Sequence, residues 1–227
     1  VQQKPLPKRL FDQAASLPVG AITASEAMFR DQDTLPPGVR TVLIIGGAGA
    51  VGSLATQILK ATTAAFVIAT GSHPESRDWC AKMGADMVID HSDDVAAQLA
   101  AANIRAIDMV LSTAGTADNL GWISKVLRPY GHIAFTDVVP PLDLGPMGPL
   151  GAKAPSLHME MMFSRIVNNS RPERQRQLLQ GLAALVSEGR VRPLLTTRLE
   201  GLTAESMKTA HELIEKQRTI GKIVVTV

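Results

Sequence analysis

One stretch, "TVLIIGGAGAVGSLATQILK" at residues 41–60, constrains the fold of this chain more than any other. Thr41 to Ile45 is an unbroken β-branched and aliphatic run, the pattern of a strand buried on both faces of a parallel sheet. Gly47, Gly49 and Gly52 follow with the spacing G-x-G-x-x-G, and Val51 to Lys60 carries apolar residues at helical spacing. In such a strand–turn–helix the first glycine permits a tight turn. The second lets a pyrophosphate reach the backbone, and the third lets helix and strand pack closely. The phosphates then lie at the helix N-terminus, where free N–H groups and the helix dipole favour an anion. A ligand-free glycine turn has the same spacing, but here strand and helix flank it as dinucleotide binding requires.

The strand and helix patterns go on alternating. Strands are predicted at 64–70, 86–90, 107–113 and 131–137, with helices from about Pro74 to Met83, Asp93 to Ala102 and Asp118 to Leu127. This run of βα units predicts an α/β fold with a doubly wound parallel sheet of the Rossmann type. Residues 138–155, rich in Pro and Gly, break the rhythm. "SLHMEMM" at 156–162 then alternates, with Leu157, Met159 and Met161 on one face, and predicts a sixth strand. A long helix at about Pro172 to Glu188 precedes a strand–helix–strand ending that leaves the central sheet.

Composition narrows the function. With 227 residues and 45% hydrophobic content the chain can bury a sizeable core, and a net charge of +2 gives no reason to expect a polyanionic partner. Aromatic residues make up only 4%, too few for base-stacking platforms, so no nucleic-acid partner is expected. No apolar stretch is long enough to span a membrane, and none is expected to contact this chain. The lone Cys80 cannot form an internal disulfide, which suits a reducing cytoplasm, and is expected to be a small buried hydrophobe.

The identity of the dinucleotide is read at the end of the second strand. A site for NAD usually has an acid there for the ribose 2′-hydroxyl. Here "ATGSHPESR" places Thr70, Gly71, Ser72 and His73 instead, and Glu75 falls past the turn. Ser72, His73 and Arg77 offer a hydroxyl, an imidazole and a guanidinium to a 2′-phosphate, which favours NADP; otherwise Arg77 is a solvated helix residue. Other chemistry fits poorly. The only tyrosine, Tyr130, has Ala134 four residues on, so the Tyr-x-x-x-Lys of short-chain dehydrogenases is missing. His158 and Glu160 share a strand face but lack a third metal ligand, and are expected to line a substrate side or rim. Met159, Met161 and Met162 are expected to be adaptable core packing.

Taken in order, "LPVGAITASEAMF", "GGAGAVGSLATQILK", "ATGSHPESRDWCAKMGADMVIDH", "SLHMEMMFSR" and "GKIVV" resemble the zinc-independent quinone oxidoreductase branch of the medium-chain dehydrogenase/reductase superfamily. The likeness is greatest to the group labelled zinc-type alcohol dehydrogenase-like proteins. Members begin with a GroES-like β-domain, and the resemblance implies that this sequence starts after it. It divides the chain into a remnant of that domain at 1–22, a dinucleotide-binding domain at 23–165, a closing helix at 166–190, and a C-terminal part of the β-rich domain at 191–227.

Carried over by position, the resemblance puts Gly49, Ala50 and Val51 at the pyrophosphate, and Ser72 and Arg77 at the 2′-phosphate. His91 would lie by the adenosine ribose, and Ser112 and Thr113 would face the nicotinamide-side ribose. Phe135 and Thr136 would reach toward the nicotinamide, Thr23 would stand near it, and Lys222 would close over the cofactor. Zinc-dependent relatives carry a metal-binding cysteine where this chain has Val19, and an isopropyl group is no zinc ligand. A common aromatic position is Ser25. What the resemblance implies is an NADPH-dependent, zinc-independent oxidoreductase that delivers hydride to a quinone or an enone-type C=C, working as a homodimer. No catalytic acid is identified. The alternative is a module that binds NADPH without turnover, as a sensor or interaction subunit.

Overall fold

The computed structural model describes residues 8–137, 148–216 and 219–227. Two helices, α1 (Lys8–Ala15) and α2 (Pro18–Phe29), precede β1 (Thr41–Ile45). Then α3 (Ala50–Thr62), β2 (Phe66–Thr70), α4 (Pro74–Lys82), β3 (Met87–Ile89), α5 (Val95–Ala101), β4 (Ile107–Ser112), α6 (Thr116–Val126) and β5 (Leu127–Phe135) alternate as expected. The strands pair in parallel in the order β3-β2-β1-β4-β5-β6, with β6 at Ser156–Met159 as the last. This is the doubly wound α/β sheet predicted from the sequence.

The period-2 alternation of the strands divides the core into two layers. Val42 and Ile44 of β1 point toward α2 and α3, and Leu43 and Ile45 pack with residues of α5 and α6. Burial on both faces explains why these strands read as continuous apolar runs. Between Gly20 and Phe29, α2 is buried all round. A Cβ on Gly20 would lie 3.1 Å from the Ala50 carbonyl oxygen, so the absence of one lets α2 approach the first turn of α3. The division expected between residues 22 and 23 falls inside this helix.

The expectation for the methionines is overturned. Met159 and Met161 are 68% and 50% exposed and Met162 is half-buried, so none is core. The reason is position: β6 is an edge strand, pairing with β5 on one side, and ends at Met159. The Pro- and Gly-rich break at 138–155 falls largely outside the described residues.

After α7 (Ser164–Val167) and α8 (Glu173–Ser187), the chain leaves the six-stranded sheet. β7 (Leu195–Leu199) and β8 (Lys222–Val225) form a separate parallel pair joined through α9 (Ala204–Glu215). This pair docks on the main layer. Gly221 N–H donates to the Ala48 carbonyl at 2.9 Å, Leu194 N–H to Ser16 Oγ at 3.0 Å, and Arg192 N–H to Gln57 Oε1 at 2.8 Å. Among the described residues no helix is long and apolar enough to cross a membrane.

Candidate functional site: the strand tips around the glycine turn

The turn after β1 is built from three glycines with different duties. A Cβ on Gly47 would stand 2.8 Å from Ala69 Cβ and 2.9 Å from Cys80 Sγ. One on Gly52 would stand 2.4 Å from the Gly46 carbonyl oxygen and 2.8 Å from Gly47 Cα. Both positions need glycine for packing. Gly49 does not: its φ of −71° suits any residue, and an added Cβ would meet only the Gly46 oxygen at 3.4 Å. The fold therefore has no internal use for a bare backbone at Gly49, and the open side is where a ligand phosphate would approach.

The helix that starts there is prepared for an anion. Gly49 is the N-cap of α3 and supplies no capping side chain, and no acid stands in the first turn. Its first N–H groups, at Ala50, Val51 and Gly52, are left for an external acceptor at the positive end of the helix dipole. By contrast, α4 carries Glu75 and α6 carries Asp118 in the first turn. The turn is held from behind. Gly47 N–H donates to the Thr70 carbonyl at 3.2 Å, Ser53 Oγ to the Gly47 carbonyl at 3.2 Å, and Trp79 Nε1 to Ser53 Oγ at 2.8 Å. Gly46, which the motif spacing passes over, takes φ +76° and donates to Thr70 Oγ1 at 3.2 Å.

Beyond β2, Gly71 lies so close to α4 that a Cβ would come within 3.0 Å of Arg77 N. Ser72 is half-buried beside it, and His73 is exposed at the N-cap of α4. The Arg77 guanidinium reaches across to β3, with Nη1 at 2.8 Å from Asp90 Oδ2. Hydrogen bonds from Ser92, and then the Arg77 charge, hold the Asp90 carboxyl below its usual range. His91 is half-buried, and its Nδ1 is buried without a partner among the described residues.

At the other strand tips, Thr113 Oγ1 donates to the Ile45 carbonyl at 2.8 Å, and Thr136 N–H donates to the Ser112 carbonyl at 3.1 Å. Phe135 is buried and Thr136 half-buried. Ser112 is fully buried, with Oγ 2.7 Å from Thr116 Oγ1, so its hydroxyl turns into the fold. Thr116 also bonds the Asp137 carboxylate through its hydroxyl, and its N–H donates to Asp137 Oδ2 at 2.9 Å. Thr23 lies on α2 near the start of α3, its hydroxyl donating to the Val19 carbonyl at 2.8 Å. Lys222 follows Gly221, which bonds the glycine turn directly. The expected residues on the sheet thus gather along the C-terminal tips of β1 to β5, while Thr23 lies on α2 and Lys222 begins β8.

Three contributors escape a sequence reading: Asp90, Thr116 and Asp137. Each acts through a partner brought near by the sheet, and no local pattern marks them. His158 and Glu160 do meet, 3.2 Å apart, and His158 lines a cavity of about 440 Å³ with Met28, Phe29, His132 and Ser156. His132 pairs in register with Met109, short of the strand tips, so this cavity extends away from the glycine turn. Among the described residues no three His, Cys, Asp or Glu side chains are grouped to hold a metal ion, and Val19 lies half exposed without a donor. The described residues do not fit a zinc ion. They do fit a dinucleotide, through the open side of Gly49 and the uncapped start of α3.

Residues 83–225 match the family model described as zinc-binding dehydrogenase. A zinc-type alcohol dehydrogenase-like protein from Staphylococcus aureus (strain MSSA476) is 34% identical over 222 residues, covering 95% of this chain and 65% of its own length. The NADPH-dependent alkenal/one oxidoreductase of Arabidopsis thaliana chloroplasts is 31% identical over 141 residues, 60% of this chain and 33% of that protein. Among solved structures, a candidate zinc-dependent alcohol dehydrogenase from Rhizobium etli CFN 42 superposes with a TM-score of 0.88 at 38% identity, over 95% of this chain and 64% of that one. The chain spans about 65% of the length of the Staphylococcus relative.

Proposed function

The chain belongs to the zinc-binding dehydrogenase family, in the medium-chain dehydrogenase/reductase superfamily, and from that premise we propose that it binds NADPH and serves an oxidoreductase. The acceptor proposed is a quinone or an enone-type C=C. The observation that carries the cofactor reading is Gly49, a glycine required neither by its backbone angle nor by its neighbours, at the mouth of an uncapped helix. Arg77 and Ser72 beside the β2 tip support the choice of NADPH, because a guanidinium and a hydroxyl suit a 2′-phosphate where an acid would repel it. The name of the Arabidopsis relative points the same way.

The residues divide the work. Ala50, Val51 and Gly52 N–H groups bind the pyrophosphate, Arg77 and Ser72 the 2′-phosphate, and His91 lies toward the adenosine ribose. Thr113, Phe135 and Thr136 form the wall on the nicotinamide side, and Lys222 closes from the C-terminal unit. The bound nicotinamide supplies the hydride. Val19 offers no zinc ligand, which favours conjugated acceptors, whose developing charge is delocalised. In this proposal α2 packs into the cofactor domain that runs to residue 165, 166–190 is its closing helix, and 191–227 is a part of a β-rich catalytic domain that also builds the other wall of the cleft. The whole protein works as a homodimer in the cytoplasm.

Trp79, hydrogen-bonded to Ser53 behind the turn, provides an intrinsic reporter. Fluorescence titration should show NADPH binding more tightly than NADH, and Arg77→Ala should remove most of the difference. A charge-assisted contact is worth about 1.5–3 kcal/mol, roughly ten- to a hundredfold in affinity. Equal affinities in the unaltered chain would defeat the NADPH reading.

A further inference from the structure

Arg77 does not stand free at the β2 tip. Its Nη1 is bound at 2.8 Å to Asp90 Oδ2, and Asp90 is itself fixed on every side. Asp90 Oδ1 accepts from Ser92 N–H at 3.0 Å and from Ser92 Oγ at 2.5 Å. The Asp90 backbone is clamped by Gln98, which accepts from its N–H at 2.9 Å and donates to its carbonyl at 2.7 Å. The pair is partly exposed, with side chains 38% and 18% accessible, and ion pairs of that kind add little stability. A strut braced at four points for so small a stabilising return suggests another purpose.

Arg77 carries five N–H donors in a planar fork, and Asp90 engages its Nη1 end. Nε and Nη2 have no ion-pair or hydrogen-bond partner among the described residues, on a guanidinium that crosses from α4 to the tip of β3. Two effects of Asp90 then oppose each other. Its charge weakens the pull of Arg77 on an anion. Its geometry holds a long, flexible side chain in one orientation, so less freedom is lost when a phosphate binds.

We propose that Asp90 is the positioning residue for Arg77, and that by fixing the guanidinium it sets the preference of this site for a 2′-phosphorylated dinucleotide. The proposal rests on the NADPH reading above. It adds that selectivity depends on a carboxylate that repels the phosphate it helps to select, because orientation outweighs the screened charge at this exposed rim.

A double-mutant cycle separates the two effects. Unaltered chain, Arg77→Ala, Asp90→Asn and the double variant would each be titrated by calorimetry with NADPH, NADH and 2′,5′-ADP, and their thermal unfolding recorded. Asp90→Asn keeps an oxygen for Ser92 but removes the anionic partner of Arg77. The expected result is an NADPH-over-NADH preference lowered about fivefold by Asp90→Asn, with no further loss when Arg77 is already alanine, as for contacting residues that act as one unit. Ser92→Ala, which removes the hydroxyl donor to Asp90 Oδ1 and keeps the backbone one, should lower the preference less, and serves if Asp90→Asn unfolds. A preference that rises or stays level in Asp90→Asn would overturn the proposal, as would an equal loss in the Arg77→Ala background. If Arg77→Ala leaves the preference intact, the NADPH reading of this rim falls too, which separates the two failures.

Discussion

Replacing Gly49 and Gly52 by alanine, one at a time, tests whether the glycine turn is shaped by packing or by a ligand. At Gly52 the new methyl would sit 2.4 Å from the Gly46 carbonyl oxygen and 2.8 Å from Gly47 Cα, both backbone atoms that cannot swing aside. Such overpacking costs about 1–3 kcal/mol or more. In a chain of this size 1 kcal/mol lowers the melting temperature by about 2–4 °C, so Gly52→Ala should melt several degrees lower. At Gly49 the methyl meets one oxygen at 3.4 Å, and φ is already −71°. Alanine is a poorer N-cap than glycine, but it also has less unfolded-state freedom to lose, and the two effects oppose each other within about 1 kcal/mol. Stability should therefore hardly change. NADPH affinity should fall by about tenfold or more, because the methyl occupies the path of the pyrophosphate. Differential scanning fluorimetry and calorimetric titration on the same samples give both quantities. If Gly49→Ala destabilises the fold as much as Gly52→Ala, or binds NADPH as well as the unaltered chain, the assignment of the open side to a phosphate is refuted.

Two further outcomes are expected. Burial pushes the Cys80 thiol up to about 11, above its ordinary value of 9.0, so its contribution to stability is complete below about pH 9 and is lost as pH rises toward 11; urea unfolding should show this alkaline loss flattened in Cys80→Ala, and identical pH profiles would contradict it. Arg165 on α7 grips Glu26 of α2 through two contacts of 2.6 Å, with side chains 11% and 6% exposed, so Arg165→Met should cost about 3–5 kcal/mol in urea unfolding and Glu26→Gln on top of it should restore part; a loss below about 1 kcal/mol would show the pair to be dispensable.

Legibility follows the range of the forces involved. β1 to β5 and α3 to α6 announce themselves because each is a local pattern: an apolar run, a glycine spacing, a helical period. The methionines of β6 mislead for the same reason. Alternation at Leu157, Met159 and Met161 tells that one face is apolar but not what faces it, and at a sheet edge that face is largely exposed. α2 misleads in the opposite sense. "PVGAITASEAMF" is small and mixed in polarity with hardly any amphipathic stripe, yet Gly20 to Phe29 are buried because small residues let α3 and α8 close on it from several sides. A boundary drawn at residue 22 on family likeness therefore runs through one continuous helix.

In the site, residue types were legible and their partners were not. Arg77 stands out beside Ser72 as a cation where an acid is usual, but nothing local ties it to Asp90, thirteen residues on, because the sheet register makes that contact. Thr116 and Asp137 meet across the tips of β4 and β5 for the same reason. The glycine turn shows how far this goes. Its outer edge is held by Gly221, from a strand pair that belongs to neither flanking element, and Ile220 packs on the Ala48, Ala69 and Cys80 cluster behind it. The backbone of the glycine turn is thus buttressed from β2, from α4 and from the C-terminal unit. A ligand that tightened this turn would also favour the docked C-terminal unit, since Gly221 holds the same backbone through the Ala48 carbonyl.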